Sequence, residues 1–200
     1  MSLFDIDLIP VLKSDRLMLR GMQAKERSDM YEYSKDPGVT KYLLWSEHPN
    51  EAYTRRYLKH VERRYKKEIY YDWAIIYNGD GPSELDAYKG RMIGTCGFAS
   101  IDFDNLCGEI GYVLNPEYWG RGIAVEALEK VIEFGFENLG LHRIEARFME
   151  GNDSSRRVME KVGMTFEGIQ REAMLIKGSY ANVGVCAILA GEWRAKKGRK

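Results

Sequence analysis

The chain is poor in the residues that carry metal and disulfide chemistry, with three cysteines and three histidines in 200 residues. Cys96, Cys107 and Cys186 stand far apart, with no C-x-x-C pair and an odd count. Neither a disulfide framework nor a thiolate zinc site can be read from them. Each sits in an apolar, strand-like stretch, where a free cysteine acts as a small buried hydrophobe, and a reducing cytoplasm suits such thiols. His48, His60 and His142 are equally scattered, and no Ser-His-Asp spacing accompanies them, so no metal site is expected and a hydrolase is disfavoured. Net charge is missing too: 30 basic residues cancel 30 acidic ones. The chain as a whole therefore offers no electrostatic case for nucleic acid. Its one basic cluster, from Arg194 to Lys200, reads as a frayed, solvated tail. No run approaches the apolar length of a membrane span, and Met1 to Pro10 lacks the basic-then-apolar order of a secretory leader. Repeats, low-complexity runs and linkers are absent. With 44% hydrophobic and 30% charged residues, the expectation is one soluble domain over residues 1–200, its core spanning about 14–194.

What is present centres on Cys107 to Glu129, C-G-E-I-G-Y-V-L-N-P-E-Y-W-G-R-G-I-A-V-E-A-L-E. Ile110, Tyr112 and Leu114 alternate with Gly111, Val113 and Asn115, as in a strand with unlike faces. Pro116 cannot donate to a sheet ladder and should end it. After Gly120-Arg121-Gly122, residues Ala124, Ala127, Leu128, Val131 and Gly135 recur at helical spacing. A glycine-rich turn feeding a helix presents unpaired N–H groups at the positive end of the helix dipole, which is an anion site suited to phosphate. The dinucleotide fingerprint fails, because Val125 stands where its third glycine belongs, and Gly-Ile-Ala lacks the Lys-Ser/Thr of a P-loop.

The wider string N-P-E-Y-W-G-R-G-I-A-V-E-A-L resembles the acetyl-CoA pyrophosphate loop of the GCN5-related N-acetyltransferases, specifically the RimJ/RimL branch. Three more segments carry the resemblance, in the family's order. Ser14 to Arg20 is similar to that branch's opening strand. Asp36 to Leu43 is similar to the turn after its first helix. Asn152 to Met164 is similar to its N-x-x-S-x-x-V-x-E-K-x-G-F segment. One departure is Glu117, where the superfamily often has Gln or Arg; it is expected to point outward and lend only its backbone N–H.

Around this stretch the sequence reads as strand (16–21), two helices (24–35 and about 51–68, the second capped by Asn50), and then three strands, 71–78, 91–102 and 107–115. A helix from the glycine loop to Gly140 follows, then a strand (143–149), a helix (152–162) and two last strands (164–177 and 179–193). Tyr53, Tyr57, Val61 and Tyr65 form an aromatic stripe on the second helix, expected to be its packing face. This order gives an α/β or α+β single domain with a mixed sheet and helices on both faces. The resemblance implies the acetyltransferase fold, a mostly antiparallel sheet of about seven strands splayed at the CoA site.

Acetyl transfer needs a neutral amine, a donor for the tetrahedral oxyanion and a proton source for the departing thiolate. By resemblance, Glu109 is the base, directly or through water; otherwise it is a strand residue paired across the hairpin. Val113 and Leu114 would supply N–H groups for the thioester and pantetheine. Residues Trp119, Gly120, Arg121, Gly122, Ile123 and Ala124 would hold the pyrophosphate. Asn152 is a helix cap with a possible amide contact to the pantetheine arm. The leaving sulfur falls to Ser155 or to Tyr180, whose phenol, with a pKa near ~10 against ~8.5 for a thiol, is the better matched acid. Trp45 is the aromatic expected to line the acceptor cleft.

The reading is an acetyl-CoA-dependent N-acetyltransferase, with acetyl-CoA as cosubstrate and direct attack in a ternary complex. The branch implies the α-amine of a protein N-terminus, including ribosomal proteins, as acceptor. The alternatives are a small amine (polyamine, amino acid or aminoglycoside), a CoA-binding sensor without turnover, and, more distantly, a nucleic-acid module. A cytoplasmic monomer or homodimer, without membrane association, completes the expectation.

Overall fold

The computed structural model describes residues 9–67, 70–79 and 90–198. In chain order the elements are β1 (Leu12–Lys13), β2 (Leu17–Arg20), a 3-10 turn (Ala24–Glu26), α1 (Arg27–Ser34), α2 (Pro37–Thr40), α3 (Glu51–Lys67), β3 (Asp72–Tyr77), β4 (Arg91–Asp102) and β5 (Cys107–Leu114). A second 3-10 turn (Pro116–Tyr118) leads to α4 (Ile123–Glu137), β6 (Arg143–Met149), α5 (Asp153–Lys161), β7 (Thr165–Ile176), β8 (Ser179–Leu189) and α6 (Ala190–Lys197). The eight strands follow the order β1-β2-β3-β4-β5-β6-β8-β7. β5 and β6 run parallel, while the β1–β2, β2–β3, β3–β4, β6–β8 and β7–β8 pairs are antiparallel. The expected mixed sheet is present, with the two-residue β1 as the strand the sequence did not announce. The long β3–β4 connection lies largely outside the described residues. Among them, no helix is long and apolar enough to cross a membrane.

The chain forms two compact units, residues 1–97 with 112–130, and residues 98–111 with 131–200. In the first unit, β2 is buried along its whole length. Arg20 tolerates this because its guanidinium pairs closely with Glu26 and donates to the Gly21 carbonyl at 3.0 Å. A buried charge so partnered keeps most of what it loses in leaving water. Asp36-Pro37-Gly38, expected as a turn, opens the one-turn helix α2, with the Asp36 side chain accepting from Gly38 N at 2.7 Å. On α3, Asn50 caps as expected, taking the Tyr53 N–H at 2.9 Å. Its packing face is Thr54, Leu58, Val61 and Tyr65, all buried, and the stripe is corrected at Tyr53, which is exposed.

In the second unit, α4 and β6 meet closely because Gly135 has no side chain. A Cβ there would lie 2.7 Å from the Ile144 methyl and 2.8 Å from the Phe98 ring. The last strand stops at Leu189, and residues expected to extend it to Trp193 form α6. The Leu189 N–H goes to the Glu192 carboxylate at 2.9 Å, which fastens the helix start. The basic tail is also corrected as far as Lys197. It is helical, and Lys197 pairs with Glu133 at 3.0 Å and Glu137 at 2.6 Å.

Candidate active site

The glycine loop lies in the first unit. β5 ends at Leu114, as the proline requires, and Asn115 then caps the 3-10 turn by accepting the Glu117 N–H at 3.0 Å. The Trp119 N–H goes to the Pro116 carbonyl at 3.0 Å, and its indole N–H to the Leu114 carbonyl at 2.9 Å. Neither amide donor at Glu117 or Trp119 points to a ligand, so the candidate donors narrow to the segment after them. Gly120 and Gly122 have φ of 74° and 76°. Only glycine adopts this region without strain, and among the described residues nothing lies within 4 Å of an added Cβ at Gly120, so conformation rather than space demands it. The first intrahelical bond of α4 runs from Glu126 N to the Gly122 carbonyl at 3.1 Å. The N–H groups of Ile123, Ala124 and Val125 therefore have no acceptor within the helix.

The turn is fixed from outside by Arg16. Its side chain donates to Glu126 at 2.8 Å and to the Arg121 carbonyl at 3.1 Å, and Ser14 Oγ donates to the same carboxylate at 2.7 Å. Partial burial works to raise the Glu126 carboxyl, but these bonds from Ser14 and Arg16 outweigh it and hold the group below its usual range. The Arg121 side chain donates to the Tyr77 hydroxyl at 2.8 Å and lies 5.4 Å from the Tyr118 ring centre. Glu117 is largely exposed, with Arg91 at 3.7 Å.

Trp45 is half-buried in the same unit, its ring centre 5.3 Å from that of His48. His48 is buried, its Nδ1 2.9 Å from Thr54 Oγ1, and rings of Tyr53 and Tyr57 lie 4.8 and 5.8 Å away. Burial lowers the His48 pKa, so the ring is neutral at physiological pH.

Glu109 belongs to the second unit. It lies opposite Glu145 in the parallel β5–β6 pair, and its ionic partner is on β6. Arg147 Nε stands 3.6 Å from Glu109 and the other face of that guanidinium donates to Glu145 at 3.0 Å. Arg143 continues the row, bonding Glu145 at 3.0 Å and Glu167 at 2.6 Å. Burial pushes the Glu109 carboxyl up; Arg147 opposes this, and the neighbouring Glu145 adds to it.

Asn152 caps α5, its Oδ1 accepting from Ser155 N at 3.3 Å and from Ser154 Oγ at 2.9 Å. Ser155 is half-buried in the first turn. Tyr180 is 70% exposed, at the start of β8 opposite Leu175.

These elements now meet the comparisons with known proteins. The Acetyltransferase (GNAT) domain family matches residues 16–165. The chain belongs to this family. It is 31% identical over 182 residues to "Uncharacterized N-acetyltransferase p20" of Bacillus licheniformis, covering 91% of this chain and 97% of that one. It is 28% identical over 189 residues to "Putative ribosomal N-acetyltransferase YdaF" of Bacillus subtilis, covering 92% and 97%. A spermidine N(1)-acetyltransferase of Escherichia coli is 25% identical over 165 residues, covering 78% of each chain. Among solved structures, a GNAT-family acetyltransferase from Bacillus anthracis superposes with a TM-score of 0.76 at 27% identity, covering 91% of this chain and 99% of that one. The protein is thus an N-acetyltransferase of GNAT type.

For a GNAT enzyme, the sequence pointed to the loop and to Glu109 and missed the side chains around them. The Arg147–Glu145–Arg143 row was visible as alternating charges on β6. The clamp of Arg16 on Glu126 joins residues 110 apart, and no local pattern announces it. His48 was dismissed as unclustered, because its ring partners come from α3 and from the segment before it. Asp72, beside Tyr70, Tyr71 and Trp73, was passed over as the start of a strand. An acid opening an apolar, aromatic strand was the available signal.

Proposed function

We propose that this GNAT enzyme transfers the acetyl group of acetyl-CoA to the α-amine of a protein N-terminus, of the kind the RimJ/RimL branch acetylates. The observation that carries the cosubstrate is the entry into α4, where two left-handed glycines leave the N–H groups of residues 123–125 without helical partners. A pyrophosphate suits these donors and the helix dipole behind them. The protein acceptor is favoured by the Bacillus subtilis relative named for a ribosomal substrate, which aligns over nearly its whole length. A small polyamine is the second reading, favoured by the relative named for spermidine, which aligns over less of each chain.

In this account Glu109 takes the proton of the attacking amine. A carboxylate raised by burial is a better proton acceptor near neutrality than a solvated one. The amine nitrogen bonds to the thioester carbon, N–H groups of Val113 and Leu114 hold the oxyanion, and its collapse breaks the carbon–sulfur bond. Ser155, in the first turn of α5, donates to the leaving sulfur. Tyr180 is the weaker candidate because it is largely exposed on its hairpin. Asn152 supports the pantetheine through its amide nitrogen, since its oxygen caps the helix.

The test is to incubate the enzyme with acetyl-CoA and peptides that carry both a free N-terminus and an internal lysine, and to map the product by fragmentation mass spectrometry. Acetyl on the terminal nitrogen supports the reading. Acetyl confined to lysine, or appearing only on polyamines, overturns it.

A further inference from the structure

One titratable group in the first unit has no part in the account so far. Asp72 opens β3 opposite Gly97 of β4, and two tyrosine hydroxyls bond to it. Tyr70 donates its hydroxyl to Asp72 Oδ2 at 3.1 Å. Tyr65 donates to the Asp72 backbone carbonyl at 2.5 Å while accepting the Met22 N–H at 3.1 Å, so its ring is locked. Tyr57 and Tyr33 feel its charge: burial raises both phenols first, and an ionised Asp72 adds to this, for Tyr33 after the effect of Tyr57. The guanidinium of Arg64 stacks on the Tyr70 ring, 3.6 Å from its centre. It therefore lends Asp72 positive charge from beyond that ring.

Two features here have no structural use. The Tyr33 hydroxyl is buried, in a residue 1% exposed, and has no hydrogen-bond partner among the described residues. Leaving such a hydroxyl unpaired costs more than a phenylalanine would in its place. Asp72 Oδ1 accepts no hydrogen bond among the described residues either, and Gly97 lets β4 approach so closely that a Cβ there would stand 2.3 Å from Asp72 Cα and 2.8 Å from that oxygen. Asp72 as a whole residue is half-buried. Burial pushes its pKa up to about 7, against the opposing effects of the Tyr70 bond and Arg64. A carboxylate stripped of water, with an acceptor oxygen unused and phenol rings about it, is chemically matched to a compact cation with several N–H donors. Aromatic faces attract such a cation, and the carboxylate neutralises it.

We propose that Asp72, with Tyr33, Tyr57 and Tyr70 around it, is a recognition site for the primary ammonium group of the acceptor. Its assignment to the acceptor rests on the acetyltransferase reading above, whereas the cation site itself does not. The rings of His48 and Trp45 follow on from Tyr57, through the 5.8 and 5.3 Å ring contacts already described, with Trp45 the half-buried one. They would cover the carbon skeleton that bears the ammonium.

The test measures binding and turnover separately. Alaninamide and n-butylammonium are titrated by calorimetry into the full chain, wild type and Asp72→Asn, at a pH where Asp72 is ionised. The site predicts binding by wild type and at least a tenfold weaker Kd in the variant, with acetyl-CoA affinity unchanged as the check on folding. Tyr33→Phe supplies the second arm: it weakens ammonium binding if the hydroxyl serves the ligand. Equal ammonium binding by wild type and Asp72→Asn, or none by wild type, overturns the proposal, as does a Tyr33→Phe protein that is only more stable and binds equally well. Ammonium binding lost in Asp72→Asn, from an enzyme that fails to acetylate peptides, upholds the site while the acceptor assignment fails. Peptide acetylation with the same KM in wild type and Asp72→Asn leaves the acetyltransferase reading intact and removes Asp72 from it.

Discussion

Glu109 and Asp72 are both carboxyls raised by burial, and their surroundings assign them different work. Glu109 has guanidinium charge within 3.6 Å and a second carboxylate opposite it on β6. As general base it should contribute about 100-fold or more. Glu109→Gln is therefore expected to lower kcat by at least that factor near neutral pH, and to recover toward alkaline pH as the acceptor loses its proton unaided. A pH–rate profile checks this, and an equal loss at every pH would mean a structural role. Asp72 bears on stability as well. Its folded pKa of about 7 lies above the ordinary 3.8, so the folded state holds its proton more tightly than the unfolded state. The favourable contribution is complete below about pH 4 and is lost as pH rises through 7. At one pKa unit per ~1.4 kcal/mol, the cost at pH 8 is on the order of a few kcal/mol. Asp72→Asn should accordingly be more stable than wild type at pH 8, and the difference should fade toward pH 4 in urea unfolding. The setting of Asp72 was not visible in sequence. Residues 33, 57, 65, 70 and 97 come from α1, α3, the segment before β3 and β4, and only the Y-Y-D-W run hinted at it.

The strand–turn–helix unit from β5 to α4 is the element on which acetyl-CoA binding rests. Gly122 sits at φ 76°, and among the described residues an added Cβ would meet Arg16 Nη2 at 3.7 Å. Gly122→Glu would strain the turn by roughly 1–2 kcal/mol and set a negative charge where the pyrophosphate is proposed to bind. A rise of at least tenfold in acetyl-CoA Kd is expected by calorimetry, with the fold retained by circular dichroism; unchanged affinity would remove the loop from the site. This element was legible because its signals are local: alternation up to Leu114, a proline that ends the strand, and glycines followed by helical spacing. The β8–α6 boundary was not. Leu189-Ala190-Gly191-Glu192-Trp193 is too short and mixed for either period to show. The capping contact of Glu192 on the Leu189 N–H decides it. α6 should also depend on charge, since Lys197 is held by Glu133 and Glu137 at an exposed site. Lys197→Ala is expected to lower Tm in low salt and to match wild type in high salt, where exposed pairs are screened.

At the scale of the molecule, a chain with zero net charge has no net monopole to gather a charged acceptor. Short-range contacts then weigh more in selectivity, which is why the proposed ammonium site at Asp72 matters to the acceptor question. Family membership establishes the chemistry of N-acetyl transfer, and the relatives are named for acceptors of different size, ribosomal and spermidine. The decisive measurement is thiol release from acetyl-CoA by the wild-type enzyme, with short peptides as one acceptor pool and polyamines, amino acids and aminoglycosides as the other. The account predicts release with the peptides that stops when their N-termini are blocked. Release with the small amines alone, or undiminished release with blocked peptides, would contradict it.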